Sequence, residues 1–393
     1  MIKGEALRAR VAAMPGVHRL RRPIGDGRSF DLHYVRAGPP GGCPLLVVPG
    51  GPGLASILPY HHLRKEAAAR GLDVVMVEHR GVGLSRTDDN GDDLPFSALT
   101  VEQVVEDLAA VLDDCGVRRA EVYGSSYGTY LAQGLGVRHP GRVQSMVLDS
   151  PMLSADDDHA QRAALRALYL DGPLADLLDA GIVAPEETGQ VLQVVHEFGG
   201  KRQVEQLLKL MASGRGEGVW QWLNGLGELE TTKVNRFVME FDLVGAIAFG
   251  ELGFAPKPDG KPLDVNLCFA DLAPRYPPFR GEPFDLTTAL RRFHWPVAVL
   301  SGDNDIRTPR SIAARVASLA PDGVLVPLAD TGHSALDTHR LAALTAARIV
   351  AAGGHRRLPR LAPRLATLPR RGPGKVLGKL LTARLTLGRL ISV

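Results

Sequence analysis

Cysteine is scarce in this chain of 393 residues: Cys43, Cys115 and Cys268 stand far apart, and no two of them form a CxxC pair. Such spacing argues against both a disulfide framework and a thiolate metal site, and leaves three free thiols that behave as small apolar side chains. Long apolar runs are missing as well. None approaches the roughly eighteen uninterrupted residues that suggest a membrane-spanning helix. The N-terminal stretch MIKGEALRARVAAMPGVHRL scatters charge among its apolar residues, so no secretory h-region is expected and the cytoplasm is the expected location. Acid is absent from Gly353 to Val393, which holds ten Lys or Arg residues. The formal charge of +3 therefore hides an acidic body, with 36 basic against 43 acidic residues (−7) from Met1 to Ala352, and a basic tail. No internal repeat is present.

What is there is a length beyond the size at which a single core stops growing, so a main domain with a sizeable insertion is the first expectation. Residues 17–36 alternate like an antiparallel hairpin turning at Gly25-Asp26-Gly27. Short apolar runs follow at 44–48, 72–77, 120–125 and 143–148, with helical spacing between them, as in Val101, Val104, Val105, Leu108, Val111 and Leu112. Strands alternating with helices imply a parallel sheet covered on both faces. The alternation breaks at Ser150-Pro151 and resumes at Pro296. The expected organisation is a sheet domain in two parts, 1–151 and 291–352, a mainly helical cap over 152–290, and a tail over 353–393.

The chemistry is carried by GSSYG, Gly124 to Gly128. It stands between an apolar strand and a helix, which describes a nucleophile elbow with the Ser126 hydroxyl presented above the sheet. Acyl transfer by serine needs a base to take the hydroxyl proton and a carboxylate to orient that base. In elbow-bearing sheets they follow in the order acid, then histidine. Asp305 in GDNDIRTP and His333 in DTGHS each follow an apolar run, so both fall in loops on the rim that carries Ser126. Asp303, Asp149 and Asp330 are the rival acids. Asp303 suits a turn-organising role better. The oxyanion needs two backbone N–H donors, expected from Tyr127 and from Gly50 or Gly51 within PGGPG.

Together these residues resemble the proline iminopeptidases. Pro49 to Gly53 is similar to their HGGPG loop, Glu78 to Ser85 (EHRGVGLS) to their DxRGxGxS segment, and GSSYGTYLA to their elbow, the last two with wording close to the tripeptidyl aminopeptidase branch. Two positions depart: Pro49 stands for His, and Glu78 for Asp. The resemblance implies an alpha/beta-hydrolase fold with a helical cap, and release of N-terminal residues from peptides without metal or cofactor. It also implies cap acids that bind the substrate ammonium. Glu228, Glu230, Glu240 and Glu251 are the candidates, near Trp220, Trp222, Phe237 and Phe249, although the family's Trp-flanked Glu is not matched. An esterase or amidase using the same parts is the alternative, and a silent binding protein is the alternative of another class. The tail ends in a segment, 375–393, with the pattern of an amphipathic helix, a candidate for contact with an anionic membrane surface; docking on the acidic body or on another subunit competes with it. Nucleic acid is not an expected partner, because no aromatics are interleaved with the tail's charge. Oligomeric state is not legible.

Overall fold

A computed structural model describes residues 2–25, 27–232, 234–370 and 373–390, with side chains described for all of these except 2, 3, 227–232, 373, 389 and 390. Eight strands form one sheet: β1 (Val17–Pro23), β2 (Ser29–Ala37), β3 (Leu45–Val48), β4 (Val74–Val77), β5 (Ala120–Ser125), β6 (Val143–Asp149), β7 (Val297–Gly302) and β8 (Gly323–Leu328). Their spatial order is β1-β2-β4-β3-β5-β6-β7-β8. β1 and β2 make the expected hairpin, with Val17 opposite Val35 and Pro23 opposite Ser29. β2 is also antiparallel to β4, and every later pairing is parallel.

The central strands Leu45–Val48 and Val74–Val77 are apolar throughout and buried at every position, as strands covered on both faces must be. Alternation then sorts their side chains between two cores. Leu46, Val48, Val75, Val77, Val122 and Leu148 face a core completed by the helices Val101–Asp114 and Tyr127–Arg138. Leu45, Val47, Val74, Met76, Tyr123 and Val147 face the other, completed by the helices His61–Ala68 and Arg340–Ala351.

Between β6 and β7 the chain forms helices Asp157–Tyr169, Pro173–Asp179, Pro185–Ala212, Glu217–Thr232 and Phe241–Gly250, then an irregular Pro-rich stretch. These helices have a core of their own around Leu192, Val195, Leu207, Trp220 and Leu223. The long helix Pro185–Ala212 is broken at Gly200, whose φ of 69° no helical residue adopts.

The segment after Gly353 is not a detached tail. Its first helix, Leu358–Ala366, places Leu358, Ala362 and Leu365 in the second sheet-domain core. Full burial of each Leu contributes about 1.5–3 kcal/mol, enough to hold the arginine-rich segment on the body. The second helix, Pro373–Leu390, inserts Leu381 and Leu385 into the cap core. Apolar stripes, rather than charge, decide where this basic segment goes.

Candidate active site

β5 runs into Ser126, which has φ 52° and ψ −122°, and the helix Tyr127–Arg138 begins at the next residue. A non-glycine residue held there stores strain of about 1–3 kcal/mol, which the surroundings must over-determine. They do so by close packing. A Cβ on Gly124 would lie 2.4 Å from the Gly128 carbonyl oxygen, and one on Gly128 would lie 2.1 Å from that of Val48. The Ser126 N–H donates to the Asp149 carbonyl at 2.9 Å, which anchors the turn to β6.

The Ser126 hydroxyl lies 2.8 Å from Nε2 of His333, and Nδ1 of His333 lies 3.0 Å from Oδ1 of Asp305. Sequence reasoning selected all three, and the fold brings them into one hydrogen-bonded line. Asp305 is buried after β7 and accepts the Thr308 N–H at 3.0 Å and the Thr308 hydroxyl at 2.9 Å. Burial pushes its carboxyl upward, but the His333 charge and the hydrogen bonds from His333, Thr308 and Ser150 outweigh that, so it stays below the usual aspartate value. For His333 burial acts downward, and the neighbouring Asp305 carboxylate overcomes it and holds the imidazole above its ordinary value.

The rival acids are placed elsewhere. Asp303 is exposed and pairs with Arg310. Asp330 is exposed at the tip of its loop. Asp149 is buried and serves the histidine loop from behind: its carboxylate accepts the N–H groups of Ala335 at 3.0 Å and Leu336 at 2.8 Å, and the Tyr123 hydroxyl at 2.8 Å. Burial pushes this carboxyl up to about 6. The Ser334 N–H adds a bond of 2.9 Å to the Ser150 hydroxyl, so the last residue of β6 and the one after it both hold the loop of His333.

For the oxyanion, the Tyr127 N–H opens a helix and has no intrahelical acceptor. A Cβ on Gly50 would come within 3.1 Å of the Ser126 Cβ, which places the PGGPG loop directly over Ser126. His79, which the sequence did not single out, fills the space behind. Its Nδ1 lies 2.5 Å from the Arg80 carbonyl and its Nε2 lies 3.0 Å from the Tyr127 hydroxyl. A carbonyl only accepts, so Nδ1 carries the proton and Tyr127 donates to Nε2. Burial lowers the imidazole to about 4 and keeps it neutral. A cavity of about 20 Å³ lies among Pro49, Gly50, His79 and Tyr127, room for about one water.

The buried Arg80 guanidinium makes bonds of 2.6 and 2.8 Å to Asp107 and one of 2.8 Å to the Ala98 carbonyl, which ties its loop to the helix Val101–Asp114. Glu78 is buried and accepts the N–H groups of Ser56 (2.6 Å), Ile57 (3.0 Å) and Leu84 (3.4 Å), tying the segment after PGGPG to the RGVGLS loop. Burial raises this carboxyl to about 7.

The cap acids divide. Glu240 is fully buried, and its carboxylate takes the N–H groups of Gly83 (3.0 Å) and Phe237 (2.7 Å) and the guanidinium groups of Arg86 (3.2 Å) and Arg236 (2.9 Å). Four donors make it a clamp between cap and sheet domain, which corrects its expected role as a substrate ligand. Glu251 is half-buried and accepts the Val101 N–H at 2.7 Å through Oε2 alone. The side chains of Glu228 and Glu230 lie outside the described residues. A further acid, Glu197, went unnoticed in LQVVHEFGG; it is buried on the cap helix and accepts from Nε of Arg307 at 2.9 Å, and its charge reaches His333. Among the described residues no three His, Cys, Asp or Glu side chains cluster as metal ligands.

Comparison with known proteins agrees with this architecture. A family model described as alpha/beta hydrolase fold matches residues 44–178. A probable proline iminopeptidase of Leptolyngbya boryana is 24% identical over 80% of this chain and 88% of its own length. A probable proline iminopeptidase of Streptomyces coelicolor is 30% identical over 32% of this chain, a match that spans 37% of that relative. A rhodomycin D methylesterase of Streptomyces sp. strain C5 is 26% identical over 76% of this chain and 87% of its own length. The chain has the alpha/beta-hydrolase fold and resembles the proline iminopeptidases.

Proposed function

We propose that this chain is a serine hydrolase that cleaves carbonyl substrates through an acyl-enzyme on Ser126. The line from Ser126 through His333 to Asp305, at 2.8 and 3.0 Å, carries the reading. His333 takes the Ser126 proton as the oxygen attacks the carbonyl carbon, then gives it to the leaving amine or alcohol. Water attacks the ester so formed, again losing its proton to His333, and Ser126 is regenerated with release of the acid. Asp305 orients the imidazole and stabilises its charged form. The Tyr127 N–H with that of Gly50 or Gly51 stabilises the oxyanion. No cofactor or metal has a part in this scheme.

For substrate we propose a peptide with a free N-terminus, released residue by residue from that end. The similarity to proteins named as proline iminopeptidases supports this, and Glu251 is the candidate partner of the substrate ammonium. Ester hydrolysis is the second reading, favoured by the commitment of Glu240 to four internal donors and by the similarity to a methylesterase over most of both chains. A panel of N-terminally free and N-acylated aminoacyl and peptidyl fluorogenic amides, with short esters alongside, separates them. The aminopeptidase reading expects free amines to be preferred; turnover of blocked amides or esters alone overturns it and leaves the serine chemistry standing.

A further inference from the structure

The helix Pro373–Leu390 has two apolar stripes. Leu377, Gly378, Leu381, Leu385 and Gly388 form the inner one, with Leu381 and Leu385 fully buried in the cap core. Val376, Leu380, Ala383 and Leu387 form another, at spacings of four, three and four, which is the period of a second helix face. This face points outward: Val376 is 65% exposed, Leu380 44% and Leu387 56%. Lys375 and Lys379 flank it on one side and Arg384 on the other, and the helix has no acid. Scattered surface leucines need no explanation, but a periodic stripe bordered by cations does.

We infer that this outer face is a docking surface for an anionic lipid bilayer. The stripe lies where the acyl boundary receives apolar side chains, and the lysine stems reach past it to lipid phosphates. Charge favours this occupant. The helix and the segment before it, from Gly353 on, hold ten cations and no anion, while residues 1–352 carry a net −7, so the molecule is polarised toward a negative surface. A second copy of the chain fits worse, because a two-fold contact through this face would set Lys375 and Lys379 against the same cationic helix. Docking needs no unfolding, since the buried stripe remains in the cap while the outer one meets the lipid.

The position of the helix gives docking a consequence. A Cβ on Gly374 would lie 3.4 Å from the Thr338 side chain, just beyond the His333 loop, and one on Gly378 would lie 3.0 Å from the Phe198 carbonyl, next to Glu197. One helix thus touches the segment after the proposed base and the cap helix that faces it. A docked molecule presents its cap and cleft rim beside the bilayer.

The test is sedimentation of the full chain with vesicles of phosphatidylcholine alone and with about 30% phosphatidylglycerol added. The expected result is binding at least about tenfold stronger to the anionic vesicles, weakened by salt. The combined change Val376→Asp, Leu380→Asp and Leu387→Asp abolishes it while hydrolysis of a soluble ester is retained. The pair Lys375→Glu and Lys379→Glu, which leaves the apolar stripe intact, weakens it about tenfold. Equal binding to both vesicles, no binding to either, or unchanged binding by both variants overturns the inference. So does a concentration-dependent dimer that the triple change dissolves, which would give the stripe to a second copy.

Discussion

Nε of Arg307 lies 2.9 Å from the buried carboxylate of Glu197, and this pair joins the cap to the loop that carries Asp305. The backbones meet here too, since a Cβ on Gly332 would lie 2.6 Å from the Glu197 carbonyl oxygen. Cap and proposed base are therefore packed as one unit. Glu197 also acts on His333 through its charge, which helps hold the imidazole above its ordinary value. Glu197→Gln removes that charge, so His333 titrates lower and the acid limb of the kcat/KM profile moves to lower pH. An unmoved limb, or one shifted upward, contradicts this coupling. Arg307→Met leaves Glu197 buried with its donor gone and costs about 1–3 kcal/mol in a denaturant melt.

In the proposed mechanism Asp305 and His333 set the pH dependence of the reaction. Neutral His333 is the form that mechanism requires, so its raised value is expected to put the acid limb of kcat/KM above that of a free histidine, near 6.5. Asp305→Asn removes the carboxylate that stabilises the imidazolium and frees the imidazole to take the wrong tautomer, so kcat falls by about 10⁴ and the limb moves down. A loss of less than about tenfold means that another acid does this work.

Glu78 makes the stability of the fold depend on pH. Its folded value, about 7, is above the 4.5 of an unfolded glutamate, so the native state binds the proton more tightly. Stability therefore falls as pH rises between these two values, by about 3 kcal/mol in total, and is level above them. Glu78→Gln keeps an acceptor for Ser56 and Ile57 and removes the titration. The difference in Tm between pH 5 and pH 8 is expected to shrink in the variant. An unchanged difference means the group ionises as easily when folded.

His79 and Tyr127 form a pair suited to a double-mutant cycle. Tyr127→Phe strands Nε2 of His79, and His79→Leu strands the Tyr127 hydroxyl, each at about 1–3 kcal/mol because both are buried. The double variant leaves neither member of the Tyr127–His79 bond stranded, so its loss is smaller than the sum of the two. Additive losses contradict the bond.

Gly50→Ala brings a methyl group to 3.1 Å from the Ser126 Cβ. It displaces the PGGPG loop from the nucleophile and is expected to lower kcat on the order of 10²-fold, the size of a lost oxyanion donor. Thermal unfolding is expected to change little. A large drop in Tm with normal kcat per folded molecule would place the role of Gly50 in folding alone.

The central strands were legible because burial on both faces leaves continuous runs such as LLVV and VVMV, and the tight turn at Ser126 because GSSYG couples its glycines to a geometry that tolerates little else. Asp305 and His333 followed from chain order. The fate of Glu240 was not legible: its donors Gly83 and Arg86 are more than 150 residues away, and nothing in its own segment distinguishes a clamp from a surface acid. The same distance hid the docking of Leu381 and Leu385 among cap residues near 200. Pro363 inside the helix Leu358–Ala366 made that segment read as part of a basic tail. His79 was hidden differently, inside the segment EHRGVGLS whose resemblance drew attention to its arginine and glycines.

Reaction with a fluorophosphonate tests the nucleophile most directly, because the reagent needs an activated serine and nothing of the natural substrate. Peptide mapping of the labelled chain is expected to find one adduct, on Ser126, absent in Ser126→Ala and strongly slowed in His333→Ala. Folded protein that takes up no label, or takes it up equally well without His333, would contradict the proposed chemistry.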